Sequence, residues 1–308
     1  MEFKVEKDNE NGKVRIKLVE DFIETATATC FFKNTPKVEG KPIGTIGEMK
    51  MDNKEVGLEL LKKCEEIFKE EGISKVVAPM NGNTWKQYRT LKNSFGEPNF
   101  LMENVSPKEF NEIFEEAGFS ETGTYTSTKG EISKYYNDEV LDEIEQMIER
   151  EGIIIRHLNK EKGVEDLREI YNVSVRSFAR NPFYTPISEK DYMEQYTNYL
   201  DKVDEELILI AEKDGKEIGF LFAIPNLIEM QTKGKINTLI LKTIAVLPEY
   251  EDLGLGNVMT RKIAKLAIDK GYRDWIFAFM YKDNTSQKLA QRNGTSVIRE
   301  YALYGKDL

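Results

Sequence analysis

Histidine is almost missing from this chain: one residue, His157, in 308. A single imidazole cannot build a His-based metal centre, and it leaves little room for a Ser-His-Asp triad. His157 is read instead as a structural residue just past a strand. Cysteine is nearly as scarce. Cys30 and Cys64 cannot make a disulfide framework, and neither CxxC nor Cys/His metal spacings occur, so no metal is expected. Long apolar runs are missing too. Nothing approaches the roughly 18 residues of a membrane span, and the opening stretch MEFKVEKDNENGKVRIKL holds no apolar core of signal-peptide length. The protein is therefore expected to be soluble and cytoplasmic, without a membrane partner. Positive charge is in deficit: 44 Lys plus Arg face 54 Asp plus Glu, a net −10. That balance argues against a nucleic-acid partner, because phosphate recognition needs a clustered positive field.

Apolar residues make up 40% of the chain, enough for a core, and the length suits about two domains. The charged helical stretch Asn137–Arg150 separates two halves, 1–150 and 151–308. Each half contains a similar unit. In the first, Pro42–Met51 reads as a strand. Lys54–Glu71 follows as a helix with Leu60, Leu61, Cys64, Ile67 and Phe68 on one face. Gly72 sits at its C-cap, and Lys75–Met80 is the next strand. Asn83–Thr84 then reads as the cap of a short helix bearing Trp85 and Tyr88. In the second half, Thr238–Leu247 is a strand, Gly254–Lys270 a helix closed by Gly271, and Asp274–Met280 a strand. Asn284–Thr285 opens another short helix. The correspondence indicates an internal duplication, and strand–helix–strand order implies a parallel pair with a right-handed crossover. Around it, Ile153–Ile155 reads as a strand and Val164–Phe178 as a helix. Leu207–Glu212 and Glu217–Ile224 form a hairpin turned at Asp214–Gly215. The fold class is α/β (α+β), with a mixed sheet in each half.

The stretch Thr243–Met259, TIAVLPEYEDLGLGNVM, carries the chemistry. A strand runs into Pro248, a turn ends in Gly254-Leu255-Gly256, and a helix starts. Free N–H groups there, with the helix dipole behind them and glycines that admit a close neighbour, make an anion site. The dinucleotide fingerprint fails, because Met259 stands at the third glycine position. A phosphate-binding Walker loop fails as well, because Asn257 follows Gly256 where Lys is needed.

The flanks settle the comparison. Val246, Pro248, Gly254 and Gly256 fall at the spacing V-x-P-x-x-[RQ]-x-x-G-x-G, and Asp283/Asn284 with Ser286 follow the next strand. This pattern resembles the GNAT acyl-CoA N-acyltransferase family over most of residues 151–308, and in degraded form over the first half. The resemblance implies two tandem acyl-CoA N-acyltransferase-like domains, each a mixed, mostly antiparallel sheet with flanking helices. Only the second would hold the acyl-CoA. It implies a strand whose backbone, at Ile244, Ala245 and Val246, bonds the pantetheine arm. It also implies a loop, at Leu253, Gly254, Leu255, Gly256 and Asn257, that holds the pyrophosphate, with Asn284 and Ser286 nearby. The implied reaction is transfer of an acetyl group from acetyl-CoA to a small-molecule or peptide amine by direct attack, with no enzyme nucleophile.

The departures are specific. Glu251 stands at the [RQ] position with Asp252 beside it, and the family's thiolate-protonating Tyr aligns with Ala290. Tyr281, just past a strand, is a candidate substitute acid or a packing residue. Glu229 is a candidate base for the amine. Phe183 and Tyr184 are candidate acceptor-lining residues by the same resemblance. Arg261 and Lys262 either offset phosphate charge or form a solvated helix face. In the first half only Asp52-Asn53-Lys54-Glu55 separates strand from helix, with no glycine pair, so that half is expected to brace the second or shape its acceptor site. The cluster Asn81–Arg89 belongs either to that site or to a capped helix with Trp85 in the core. A catalytically silent binding or regulatory protein on the same fold is the alternative that Glu251, Ala290 and the degraded first half suggest. A nucleotide or sugar-phosphate binder would use the same helix start but leaves the Val-x-Pro flank without a role.

Overall fold

A computed structural model describes residues 2–132, 139–282 and 284–308. The first half begins with β1 (Glu2–Asp8), β2 (Lys13–Glu20) and β3 (Ile23–Phe31). A two-residue pair, β4 (Lys37–Val38) and β5 (Lys41–Pro42), precedes β6 (Gly44–Met51), α1 (Lys54–Glu70), β7 (Lys75–Ala78), β8 (Thr90–Asn93), α2 (Glu109–Glu116) and β9 (Ser120–Glu131). After α3 (Glu139–Arg150) come β10 (Ile153–His157), α4 (Gly163–Ser177), α5 (Glu189–Tyr196), β11 (Ile208–Lys213), β12 (Lys216–Pro225) and α6 (Ile228–Lys233). The chain ends with β13 (Thr238–Val246), α7 (Leu255–Asp269), β14 (Asp274–Tyr281), α8 (Thr285–Arg292) and β15 (Ser296–Asp307). The helix expected over Asn137–Arg150 is thus seen from Glu139, its first two residues lying outside the described ones.

The local reasons are those of the sequence. In α1, Asn53 caps the start by accepting from the Val56 N–H at 3.1 Å, and Gly72 beyond its end takes φ 74°, a conformation that costs other residues about 1–2 kcal/mol. Its inward face is Val56, Leu60, Leu61, Cys64, Ile67 and Phe68. At about 1.5–3 kcal/mol for each large apolar side chain, this burial rather than helix propensity holds α1 on the sheet. The stretch after β7 departs from expectation. Asn83 Oδ1 accepts from the Trp85 N–H at 3.1 Å, yet no helix follows. The chain instead folds back on itself. Asn81 N–H donates to Gln87 O, Arg89 N–H donates to Pro79 O, and Met80 pairs with Tyr88. These pairings satisfy the backbone groups that a helix would otherwise have used.

One 13-stranded sheet runs β1-β2-β3-β6-β7-β15-β9-β14-β13-β12-β11-β10, with β8 on the edge of β15. Neighbours are antiparallel except at β6/β7 and β13/β14. The order reads the same from either end, about the β15/β9 contact. Each half's own last strand lies on the far side of that centre. β15, from the end of the chain, pairs with β7, while β9, from the first half, pairs with β14. The expected duplication is present, and its last strands are exchanged. The halves differ in one decisive way. Between β10 and β11 stand α4 and α5, whereas β1 and β2 are joined by a tight turn.

The cores follow this order. Leu60, Leu61, Phe68, Phe114 and Tyr304 anchor one cluster, and Leu221, Leu241, Val258, Met259, Ile263 and Trp275 another. Near the centre of the sheet, the loop before α2 is riveted to β15. Arg299 on β15 is fully buried beside the equally buried Glu103, with Nε 2.6 Å from Oε1. It also donates to the carbonyls of Ser94, Glu97, Pro98 and Ile298.

Candidate active site

β13 and β14 run parallel but share register only from Thr238/Asp274 to Leu241/Phe277. Beyond that point β14 continues on β9, and β13 continues on β12, with a bulge at Lys242. Between them opens a fork. Among the described residues no hydrogen bond crosses it, so the β14-facing backbone of Thr243, Ile244, Ala245 and Val246 faces no partner strand. One nearby acceptor is committed, since Ser177 Oγ donates to Val246 O at 2.9 Å.

The fork of the first half is plugged. β6 and β7 share register only at Gly44/Val76 and Thr45/Val77. Past that, Met80 N–H donates to Ile46 O at 2.7 Å, and Glu48 N–H donates to Asn81 Oδ1 at 2.7 Å. A Cβ on Gly47 would sit 2.5 Å from Met80 O. The helix starts differ in the same sense. Asn53 caps α1 from its side chain. Gly254, in the left-handed region at φ 73°, precedes α7 with no side-chain cap. Asn257 and Val258 N–H turn back to Gly254 O. The N–H groups of Leu255 and Gly256 have no backbone acceptor among the described residues, as the first turn of a helix requires. A Cβ on Gly256 would meet only Ile244 Cγ2, at 3.6 Å, so the glycine leaves room beside the strand. Open fork and uncapped helix stand together in the second half and in neither form in the first.

Two of the three acidic residues of the turn, Glu249 and Glu251 but not Asp252, are held by arginines among the described residues. Glu249 bonds Arg176 at 2.7 Å and Glu251 bonds Arg180 at 3.3 Å. Arg261 is neither a solvated residue nor a phosphate partner: it is buried and bonded to Asp142 at 2.7 Å and to Glu145, which also pairs with Lys262. α3 thereby ties both basic residues away from the helix start. Asn284 caps α8 by accepting from the Thr285 N–H, with Ser286 in the first turn. Because β13 and β14 are parallel, this start lies at the same end of the sheet as that of α7. Asp283 lies outside the described residues. Ala290 is buried in α8, so nothing there can protonate a leaving group.

Tyr281 ends β14, and its ring stands edge-on to Tyr125 at 5.2 Å. Tyr125 in turn meets Tyr88 at 5.5 Å, and Phe183 packs into the same cluster. Burial pushes the Tyr125 hydroxyl well above the usual tyrosine range. The Tyr281 hydroxyl has no hydrogen-bond partner among the described residues, which suits a proton donor to a bound group. Tyr184 is less available: its hydroxyl donates to Val175 O at 3.2 Å, and its ring stands edge-on to Trp85.

Glu229 is a correction. It sits in α6, beside the opposite end of β13. Thr238, which it bonds, and Ile244 are about 20 Å apart at the rise of an extended strand. Oε2 accepts from the N–H groups of Asn237 and Thr238, and Oε1 from Lys233 Nζ and Thr238 Oγ1. Burial raises its pKa, but these donors outweigh burial and hold it below the usual carboxylate range. A fully engaged carboxylate that resists protonation is a clamp on the α6–β13 turn and not a base. The cavity that it lines measures about 30 Å³, room for a water and not for an amine substrate.

Sequence reasoning passed over Lys242, although it is the one charged residue in the strand TLILKTIAV. It passed over Arg89 as an individual residue, over Phe279 on β14, and over Tyr125, which only the strand exchange brings to this place. The segment around Trp85 bridges the halves. Trp85 Nε1 donates to Thr185 O at 2.8 Å, Gln195 Nε2 donates to Trp85 O, and the indole packs against Phe178 and Tyr192.

Comparisons agree with this geometry. Residues 167–295 match the sequence profile of the acetyltransferase (GNAT) family, a span that holds the fork, the glycine turn and α7. No curated protein matches the sequence. Among solved structures, a glucosamine N-acetyltransferase region of a fungal multi-domain β-N-acetylglucosaminidase superposes with TM-score 0.58 at 14% identity. It covers 96% of this chain, which spans only 33% of that protein. A GCN5-related N-acetyltransferase from Sphaerobacter thermophilus gives 0.55 at 13%, covering 96% of this chain and 81% of its own. A tandem GNAT protein from the clavulanic acid biosynthesis pathway gives 0.53 at 8%, covering 96% and 82%. At such identities the structural likeness is one of fold. The likeness to the GNAT family is thus one of sequence profile over residues 167–295 and of fold over nearly the whole chain.

Proposed function

We propose that the protein is an acetyl-CoA-dependent N-acetyltransferase of the second half, acting on a primary amine, with the first half a degenerate tandem domain. The observation that carries this reading is the pairing of an open β13/β14 fork with an uncapped α7, against a plugged fork and a capped α1 in the first half. Fork and helix start fit a CoA thioester: exposed strand backbone for the pantetheine, and the Leu255 and Gly256 amides with the α7 dipole for the pyrophosphate. When bound, the thioester supplies an activated acyl group that an amine attacks directly. The chain's tasks are then to position the amine, to exclude water, and to return a proton at the sulfur, for which Tyr281 Oη, at this end of β14 and without a partner among the described residues, is the candidate.

Titration with acetyl-CoA by calorimetry tests the reading. Saturable binding that is lost on crowding the helix start with Gly256→Val supports it. No heat at millimolar acetyl-CoA removes it. Release of free CoA thiol with a panel of amines separates an enzyme from a silent binding protein.

A further inference from the structure

We propose that the fork carries an anion subsite, built by Arg89 and Lys242 inside an aromatic box, and that it receives the carboxylate of a carboxylate-bearing acceptor amine. The acceptor assignment rests on the acyltransferase reading; the anion subsite does not.

Among the described residues, Arg89 carries a charge with no counter-charge beside it. Arg89 is 9% exposed. Its guanidinium carbon lies 4.3 Å from the Phe279 ring centre, 4.4 Å from Tyr88, 4.9 Å from Tyr125 and 5.6 Å from Tyr301. Its one side-chain hydrogen bond among the described residues goes to Tyr88 Oη at 3.2 Å, out of five available donors. No carboxylate of a described residue lies within ion-pair distance of it. The other buried or half-buried arginines show what is missing. Arg299 holds Glu103, Arg261 holds Asp142 and Glu145, and Arg156 holds Asp166, Glu212 and Glu217. Glu103, which bonds the Tyr301 hydroxyl of the box, is committed to Arg299.

A second cation sharpens the case. Lys242 stands on the β13 bulge where the fork opens, its ammonium 5.3 Å from the ring centre of the same Phe279. It has no ion pair or hydrogen bond among the described residues. Burial, and then Arg89 itself, push its pKa down to about 8. Two like charges sharing one ring, partly desolvated and without a counter-charge, are costly, and ring faces return only part of that cost. A planar guanidinium with free donors beside an ammonium matches the edge of a carboxylate. The position suits an acceptor. Phe279 and Tyr281 come from β14, Tyr125 and Tyr301 from the exchanged strands, Lys242 from the fork edge and Arg89 from the first half. Such a subsite would explain why the first half is retained although its own fork is plugged.

Two measurements on the full chain test this separately. In thermal unfolding at constant ionic strength, acetate or glutarate near ten times its Kd should raise Tm by about 2 °C or more. Inorganic phosphate should do less, and Arg89→Met and Lys242→Met should each abolish the rise. Because each variant removes an unpaired charge, neither should lower the basal Tm. No rise with carboxylates, an equal or larger rise with phosphate, or a collapse of basal Tm in both variants overturns the carboxylate subsite. In turnover, read as CoA thiol release, amino acids should exceed their carboxamides by tenfold or more, and Arg89→Met should erase that preference while acetyl-CoA binding by calorimetry is unchanged. Equal use of acids and amides overturns the acceptor assignment. Failure of acetyl-CoA to bind would instead remove the acyltransferase reading and leave the thermal test standing.

Discussion

Replacing Arg299 with methionine tests the central rivet of the fold. The substitution leaves Glu103 fully buried with only the Tyr301 hydroxyl and a long bond from the Phe100 N–H, at 3.4 Å, as donors. The cheapest response is to protonate the carboxylate. For an ordinary glutamic acid, with a pKa of about 4.3, that costs about 3.7 kcal/mol at pH 7, in line with the roughly 3–5 kcal/mol for breaking a buried pair. The carbonyls of Ser94, Glu97 and Pro98 also lose a charged donor, and each buried unsatisfied group adds about 1–3 kcal/mol. The expected loss is therefore at least about 5 kcal/mol at pH 7, a large part of a domain's usual stability of about 5–15 kcal/mol. Urea unfolding followed by the fluorescence of Trp85 and Trp275 would measure it. The charge part should fall to about 1 kcal/mol at pH 5, where protonation is nearly free. Adding Glu103→Leu should recover about 2 kcal/mol or more at pH 7, and little at pH 5. A loss below about 1 kcal/mol, or a loss that does not shrink with pH, would refute the reasoning.

Three further outcomes follow from the same structure. Glu229→Gln should leave kcat within about twofold while costing about 1–3 kcal/mol in unfolding, and a collapse of kcat in a folded variant would restore Glu229 as a base. Gly256→Ala should fold normally, since its Cβ meets only Ile244 at van der Waals distance, yet weaken acetyl-CoA in calorimetry by about tenfold; unchanged affinity would dissociate the helix start from the pyrophosphate. Glu217 provides a pH test: burial, with Glu169 and Glu212 alongside, outweighs its long contact to Arg156 at 3.4 Å and pushes it up to about 7 from an ordinary 4.5. The folded state then binds the extra proton between those values, so this group's contribution to stability falls as pH rises from about 4.5 to 7 and is flat above. The difference in unfolding free energy between the wild type and Glu217→Gln should fall across that window, and a flat difference would contradict it.

Much of the fold was legible because its signals are local. The 3.6-residue stripe of α1, the Gly72 and Gly271 stops and the Asp214–Gly215 turn each act within one element, and the structure has all of them. The glycine turn before α7 was legible for the same reason. The strand exchange was not, because β15 and β9 carry no mark of which neighbour they pair with; the partners lie far apart in the chain. That single unread feature hid the site's walls. Tyr125, Tyr301 and Arg89 look like ordinary core and loop residues until three distant segments meet. Asn83 misled for a different reason: its cap bond forms, but a returning strand used the amides that a helix needed. Glu229 misled because a carboxylate's role depends on its donors, and these come from residues 237 and 238 after a turn.

The exchanged strands set a condition on biosynthesis. Residues 296–307 lie between β7 and β9, so a nascent chain cannot close its N-terminal sheet until that segment, more than 200 residues beyond β7, has left the ribosome. Pairings of such long sequence separation are slow to form. A message interrupted before codon 296 would yield a product with two open sheet edges at its centre, a template for aggregation. Neither half can be cut out as an independent gene fragment, and a peptide of the β15 sequence should bind a chain ending at residue 295 and restore its solubility.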